Sequence, residues 1–143
     1  MSRLLLFNSA CSLYMTGIIW FVQVVHYPLF ERVGTPNFAI YANEHANRTT
    51  LIVAPAMLLE LATSILLLIQ RPPGVPAVML WVLAAMNIGV FASTFFVQVP
   101  LHNELQKGFH AEAIRTLAAS NWVRTLLWTL RSTGLCWALL QGR

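Results

Sequence analysis

Charge is what this sequence has least of. Only 10% of its 143 residues are charged, nine Lys and Arg against five acidic residues, where a soluble domain carries about 25%. That scarcity excludes an ordinary soluble globular enzyme. Cysteine is scarce too. Cys11 and Cys136 stand far apart in apolar runs, so no CxxC redox pair or zinc knuckle is available, and both read as small core residues. A glycine-rich phosphate loop, a nucleophile elbow and kinase motifs are also missing, which argues against phosphoryl transfer and serine-hydrolase chemistry. No HExxH or ExxH spacing is present either. The formal net charge of +4 comes from residues scattered over loops and tails, which form no basic stripe. Nucleic acid is therefore not an expected partner.

What the chain holds instead is apolar residues, 57% of the total. They fall into four runs, roughly Leu4 to Leu29, Leu51 to Ile69, Ala77 to Leu101 and Leu117 to Leu140, each near the ~20 residues that cross a bilayer as helix. The expected fold is an all-α integral membrane four-helix bundle, a single domain over residues 1–143. Arg3 before Leu4, Leu5 and Leu6 looks like a secretory start, but the apolar run continues for about 25 residues, so this first span is expected to be retained.

Turn chemistry sets the connections. Arg71-Pro72-Pro73-Gly74-Val75-Pro76 cannot continue a helix, because proline removes an amide donor and clashes with the preceding turn. Spans 2 and 3 thus form a hairpin. After Pro28, residues Phe30 to Gly34 read as loop, and Thr35-Pro36 as a cap with proline in the first turn. A juxtamembrane helix starting there and running into span 2 would lay Phe38, Ile40 and Tyr41 on the membrane surface. Gly108 breaks the third connection, and a helix from about Ala111 leads into span 4.

Phe21-Val22-Gln23-Val24 recurs 75 positions later as Phe96-Val97-Gln98-Val99, and at 76 positions His26 falls on His102, His45 on Asn121, Arg48 on Arg124 and Thr49 on Thr125. A one-residue gap joins the registers. This predicts two repeated helical hairpins, about residues 1–73 and 74–143, related by a pseudo-twofold axis along the membrane normal. The matched polar residues would gather at one face. Five Lys and Arg near the long loops (Arg32, Arg48, Lys107, Arg115, Arg124) against three opposite (Arg3, Arg71, Arg143) favour those loops in the cytoplasm.

Hydrocarbon offers no water to polar groups, so those that remain there need partners or a task. Gln23 and His26 close span 1, His45 and Arg48 open span 2, Gln98 and His102 close span 3, and Asn121 and Arg124 open span 4. Imidazole is a common ligand of copper, iron and zinc, so His26, His45 and His102 are candidate metal ligands, with His110, Glu44 or Glu104 as a second shell. The plainer alternative is headgroup-level histidines with no ligand. Arg48 and Arg124 are candidates to clamp a phosphate, carboxylate or enolate; alone, each would snorkel to headgroups.

Deeper lie Glu60, Asn87 and Arg131. Glu60 is fifteen residues past His45, about 22 Å along a helix, and so cannot share its site. A structural ion pair between Glu60 and Arg131 is expected, with Asn87 as a helix-to-helix hydrogen-bond donor. An unpaired Glu60 would mark a proton path. Pro55 frees a carbonyl, and a kink near Met57 would open a small cavity. Trp81 and Trp122 fit aromatic belts.

Asn121-Trp122-Val123-Arg124-Thr125, followed by Trp128 and Arg131, resembles the opening of the last span in the small four-span anthrone-oxygenase-like integral membrane proteins. The likeness extends to His26-Tyr27-Pro28 and to His45 with Arg48. It implies that His26, Asn121 and Arg124 stand near an aromatic substrate and oxygen, in a bacterial inner membrane. The expected function is a metal- or haem-dependent oxidoreductase or oxygenase acting on a small aromatic or quinone-like molecule, with copper, iron or haem as cofactor. His26, Arg48, Asn121 and Arg124 would be its catalytic residues. The competing readings are a non-enzymatic accessory subunit of a larger membrane complex, and a proton-coupled carrier that uses Glu60 and needs a homodimer to enclose a path.

Overall fold

The computed structural model describes residues 2–141; Arg143, counted above for orientation, lies outside them. The chain forms four helices: α1 (Arg3–Phe30), α2 (Thr35–Gln70), α3 (Ala77–Leu105) and α4 (Ala111–Gln141). No strand occurs among the described residues. The Ser2 side chain accepts from the Leu5 amide at the start of α1. Pro36 sits in the 3-10 turn that opens α2. Arg71 ends α2 in the left-handed region at φ 41°, its amide closing on the Leu67 carbonyl at 3.0 Å, which throws the chain into the proline-rich turn. Proline and glycine punctuate these junctions, so the helix ends fall close to where the sequence places them.

Each helix packs against two others: α1 on α2 and α4, α3 on α2 and α4. The short connections make successive helices antiparallel, giving an up-down-up-down ring. Three helices, α1 to α3, are long and apolar enough to cross a membrane. Away from the α1–α2 and α3–α4 connections the outward faces are largely apolar, with Leu51, Ile69, Val78 and Phe96 well exposed; Asn43, Glu44, Asn47 and Arg48 are exposed nearer that end. α4 carries Arg124 and Arg131 within its length, yet both are buried in the bundle, while Val123, Leu126, Leu130 and Trp137 face out.

Three apolar layers fill the interior. Near the α1–α2 and α3–α4 connections, which at 31–34 and 106–110 are no longer than the 71–76 turn, lie Tyr27, Phe30, Phe38, Leu105 and Leu117. Met15, Ile19, Met57, Val90 and Trp128 form the middle, and Leu5, Leu67, Leu80, Leu83 and Leu135 the far end. Phe38 is not at a membrane surface: it is 0% exposed, edge-on to Phe30 and Phe109. The short Glu31–Gly34 connection folds the start of α2 back over the end of α1, so its first apolar residue caps the bundle; Ile40 alone of that trio is well exposed.

Two helices depart from α geometry in the same way. The ladder widens to a π turn at Val22–His26, closed by the Tyr27 amide on the Val22 carbonyl, and again at Thr94–Gln98, closed by the Val99 amide on the Thr94 carbonyl. In both cases the next residue is proline, Pro28 or Pro100. A proline ring clashes with the carbonyl four residues back, and an i to i+5 turn just before it lets that carbonyl swing aside. The two prolines are 72 residues apart, against 75 for the Phe-Val-Gln-Val blocks, so the backbone and sequence registers differ.

Candidate functional site

The π turn at the end of α1 decides where its polar residues point. His26 and Tyr27 are neighbours and diverge around the helix, His26 toward the outer side and Tyr27, fully buried, toward the interior. His45, on α2, stands between them. Its Nδ1 lies 2.8 Å from His26 Nε2 and 3.2 Å from Thr49 Oγ1 one turn along the same helix. Its ring centre is 5.4 Å from that of His102 on α3, and His102 Nε2 is 3.1 Å from the Tyr27 hydroxyl. Phe30 sits edge-on to both His26 and His45 and holds the rings in place. Three imidazoles and a phenol therefore meet, drawn from three helices.

Their nitrogens do not converge on a point. His26 and His45 face each other in a mutual hydrogen bond, which requires one ring to donate and the other to accept, while His102 turns to Tyr27. Among the described residues, no group of three or more His, Cys, Asp or Glu side chains could hold a metal ion. The donor set thus does not fit the three-nitrogen copper, iron or zinc centre expected from His26, His45 and His102. His110 is exposed and lines a separate polar hollow with Glu104 and Glu112, so it supplies no second shell.

The imidazole cluster borders two cavities. An inner one of about 390 Å³ lies between α2 and α3, with Met15, Ile19 and Val22 of α1 as its floor and Tyr27, His45, Gln98, His102 and Arg124 as its polar lining. Val53, Ala54 and Met57 line it beside Pro55, the turn where a proline-loosened helix was expected to leave space; the α-helix runs unbroken through Pro55. A second, shallower hollow is lined by His26, Tyr41, Glu44, His45 and Arg48.

The two arginines expected to act as a clamp have different fates. Arg48 is 80% exposed at its side chain and bonds Glu44 at 2.9 Å; the i,i+4 carboxylate on its own helix draws it outward. Arg124 is only 7% exposed. It lies over the Trp128 ring at 5.4 Å, and its Nε has no hydrogen-bond partner. Gln98, across the same cavity, gives its amide to Ser120 Oγ and leaves its carbonyl oxygen unpartnered.

Asn121 is fully buried and donates to Gln23 Oε1 at 2.9 Å. Gln23 in turn donates to the Ala118 carbonyl. This network locks α1 to α4 behind the cavity, so Asn121 positions rather than lines. Gln98 also reaches α4, at Ser120, whereas a twofold relation to Gln23 would send it to α2.

Further from the loops, Arg131 pairs with Glu60, both side chains 1% exposed. The guanidinium also donates to Asn8 Oδ1, Ser64 Oγ and the Leu83 carbonyl, and the second Glu60 oxygen accepts from Trp128 Nε1 at 3.0 Å. Each charge is met by several groups, as a buried pair requires. Asn87 is the exception at this depth. Fully buried, it leaves both side-chain polar atoms unpartnered and makes no helix-to-helix bond. Tyr27, Asn8 and Trp128 were not legible as members of these networks; the only sequence signal was a polar or hydroxyl-bearing residue within an apolar run. No family model, curated protein or solved structure matches this chain.

Proposed function

We propose that this is an integral membrane protein whose inner cavity binds a small, largely apolar aromatic or quinone-like molecule by an acidic oxygen, as a membrane oxidoreductase of oxygenase type. The observation that carries this reading is the buried Arg124 guanidinium, which lines an apolar cavity without a counter-ion. A guanidinium out of water costs several kcal/mol unless it is paired, and the bundle supplies it with an indole face but, among the described residues, no carboxylate. A phenolate or enolate oxygen would complete it.

The same wall holds groups that move protons. With Tyr27 bonded to His102 and His26 to His45, an imidazole can take the proton of a bound phenol or enol while Arg124 holds the resulting oxyanion, a preorganised cation at the developing charge. That electron-rich anion is the form dioxygen oxidises. The resemblance of the Asn121 to Thr125 segment to anthrone-oxygenase-like proteins points the same way. We assign four spans, counting α4 because its arginines face inward, with the α1–α2 and α3–α4 connections cytoplasmic in a bacterial inner membrane. Duplication of one hairpin accounts for the paired Gln blocks and the paired π turns, with a later shift of register between them.

The test is titration of the detergent-purified protein with 1-naphthol. Saturable binding is expected. Arg124→Met should weaken it by the worth of one charge-assisted hydrogen bond, about 1.5–3 kcal/mol, or roughly ten- to hundredfold. No saturable binding overturns the reading and leaves the accessory subunit, to be sought as a companion protein after gentle extraction. The carrier reading lacks a free carboxylate, because Glu60 is committed to Arg131 and Trp128.

A further inference from the structure

The inner cavity is not a closed chamber. Its lining on α2 runs from His45 to Leu58 and on α3 from Phe91 to Gln106, thirteen and fifteen residues of helix, so its mouth is a slot about 20 Å long at 1.5 Å per residue. The slot lies between the two helices, and the residues on its lips, Thr50 and Leu58 on one side and Phe95 and Val99 on the other, are exposed on the outer surface of the bundle. That surface is the apolar belt. α1 and α4 close the opposite side, with Met15, Ile19 and Arg124 facing the slot.

Chemistry changes along the slot. At the end near the α1–α2 and α3–α4 connections stand His45, His102, Asn103 and Gln106; toward the middle of the bundle the wall is Met57, Leu58, Phe91 and Phe95. Arg124 and Gln98 line it with side chains more than nine-tenths buried, and Arg124 brings a positive charge with no carboxylate beside it among the described residues. A site with a polar end at the membrane rim, an apolar trough toward the bilayer centre and one buried cation matches an amphiphile lying as a lipid lies.

Resting on the membrane and cavity reading above, we infer that the site is filled sideways from the bilayer, through the slot between α2 and α3, by a single-chain amphiphile. Its acidic head bonds Arg124 and its apolar chain runs past Met57 and Phe91 to emerge between Leu58 and Phe95. Charge and shape select for one acidic oxygen and one chain.

The experiment uses full-length protein in phosphatidylcholine vesicles with Trp20, Trp81, Trp122 and Trp137 changed to Phe, leaving Trp128 beneath Arg124 as the fluorophore. Dibromostearate, whose bromines quench indole on contact, is the bilayer-borne probe; bromophenol is the water-soluble one. Dibromostearate is expected to quench Trp128 saturably, and Arg124→Met to weaken this about tenfold or more, leaving the unsaturable quenching by bulk lipid; Arg124→Lys should keep part of it. Ala54→Phe, on the slot wall, should slow dibromostearate quenching about tenfold while bromophenol quenching keeps its rate. Saturable bromophenol quenching with only unsaturable dibromostearate quenching would overturn the lateral route and leave the cavity reading standing. Unsaturable quenching by both probes, equal in wild type and Arg124→Met, would overturn both. Equal slowing of both probes by Ala54→Phe would overturn the route.

Discussion

Arg124 and Arg131 lie seven residues apart on one helix, both buried, and the difference between them is how fully each is paired. Arg131 meets Glu60, Asn8, Ser64 and a backbone carbonyl. Removing it strands Glu60 in a dry interior, so Arg131→Met should cost about 3–5 kcal/mol, read as a large fall in melting temperature in detergent. The double variant Glu60→Gln with Arg131→Met should recover much of that loss. Arg124→Met removes a charge with an idle Nε and replaces it with a flexible apolar side chain. It should leave the melting temperature unchanged or raise it while weakening binding roughly ten- to hundredfold, the trade expected where a site is kept at the expense of stability. A fall comparable to that of Arg131→Met would mean that Arg124 is structural. Tyr27→Phe should cost about 1 kcal/mol for its lost bond to His102, measured by the same melting curves.

At the scale of the helices, Pro55 interrupts the ladder of α2 beside the cavity. Pro55→Ala restores one amide donor and removes a ring clash worth ~3 kcal/mol in a helix interior. The variant should melt higher, and it should bind 1-naphthol more weakly if the missing hydrogen bond at Pro55 sets the course of α2 along the cavity; equal or stronger binding would show that the proline does not shape the cavity. The helix ends themselves were legible, because proline, glycine and the cap residues act locally. Rotation about each helix axis was not. A π turn inserts one residue's worth of rotation, and nothing in an apolar run such as Phe21 to Val25 reveals it by periodicity. That is why His26, His45 and His102 could be placed at one rim from the sequence while the facing of their nitrogens could not. Arg48 turned outward for a similar reason, since a Glu four residues earlier outcompetes a distant site. Asn87 and Phe38 show the converse: position along the chain was readable, but the partner or the lack of one depended on how neighbouring helices pack, α3 against its neighbours for Asn87 and α2 over α1 for Phe38.

The whole molecule is a ring of four helices with an apolar outer surface, a satisfied charge network toward one end and an unsatisfied polar rim toward the other. Low charge and long apolar runs were enough to anticipate the ring, since helix is the only fold that satisfies a backbone in hydrocarbon without pairing partners across a closed sheet. The same runs said little about the site, whose parts come from all four helices. The account turns on the idle donor of Arg124, and the amide-like Nε–H resonance of that side chain reports on it directly. In protein carrying nitrogen-15 arginine, assigned with Arg124→Lys, titration with 1-naphthol should move this resonance downfield and saturate with the binding curve, while that of Arg131 stays fixed. An Arg124 resonance that does not move, or that moves together with Arg131, would contradict the assignment of Arg124 as the ligand's anchor.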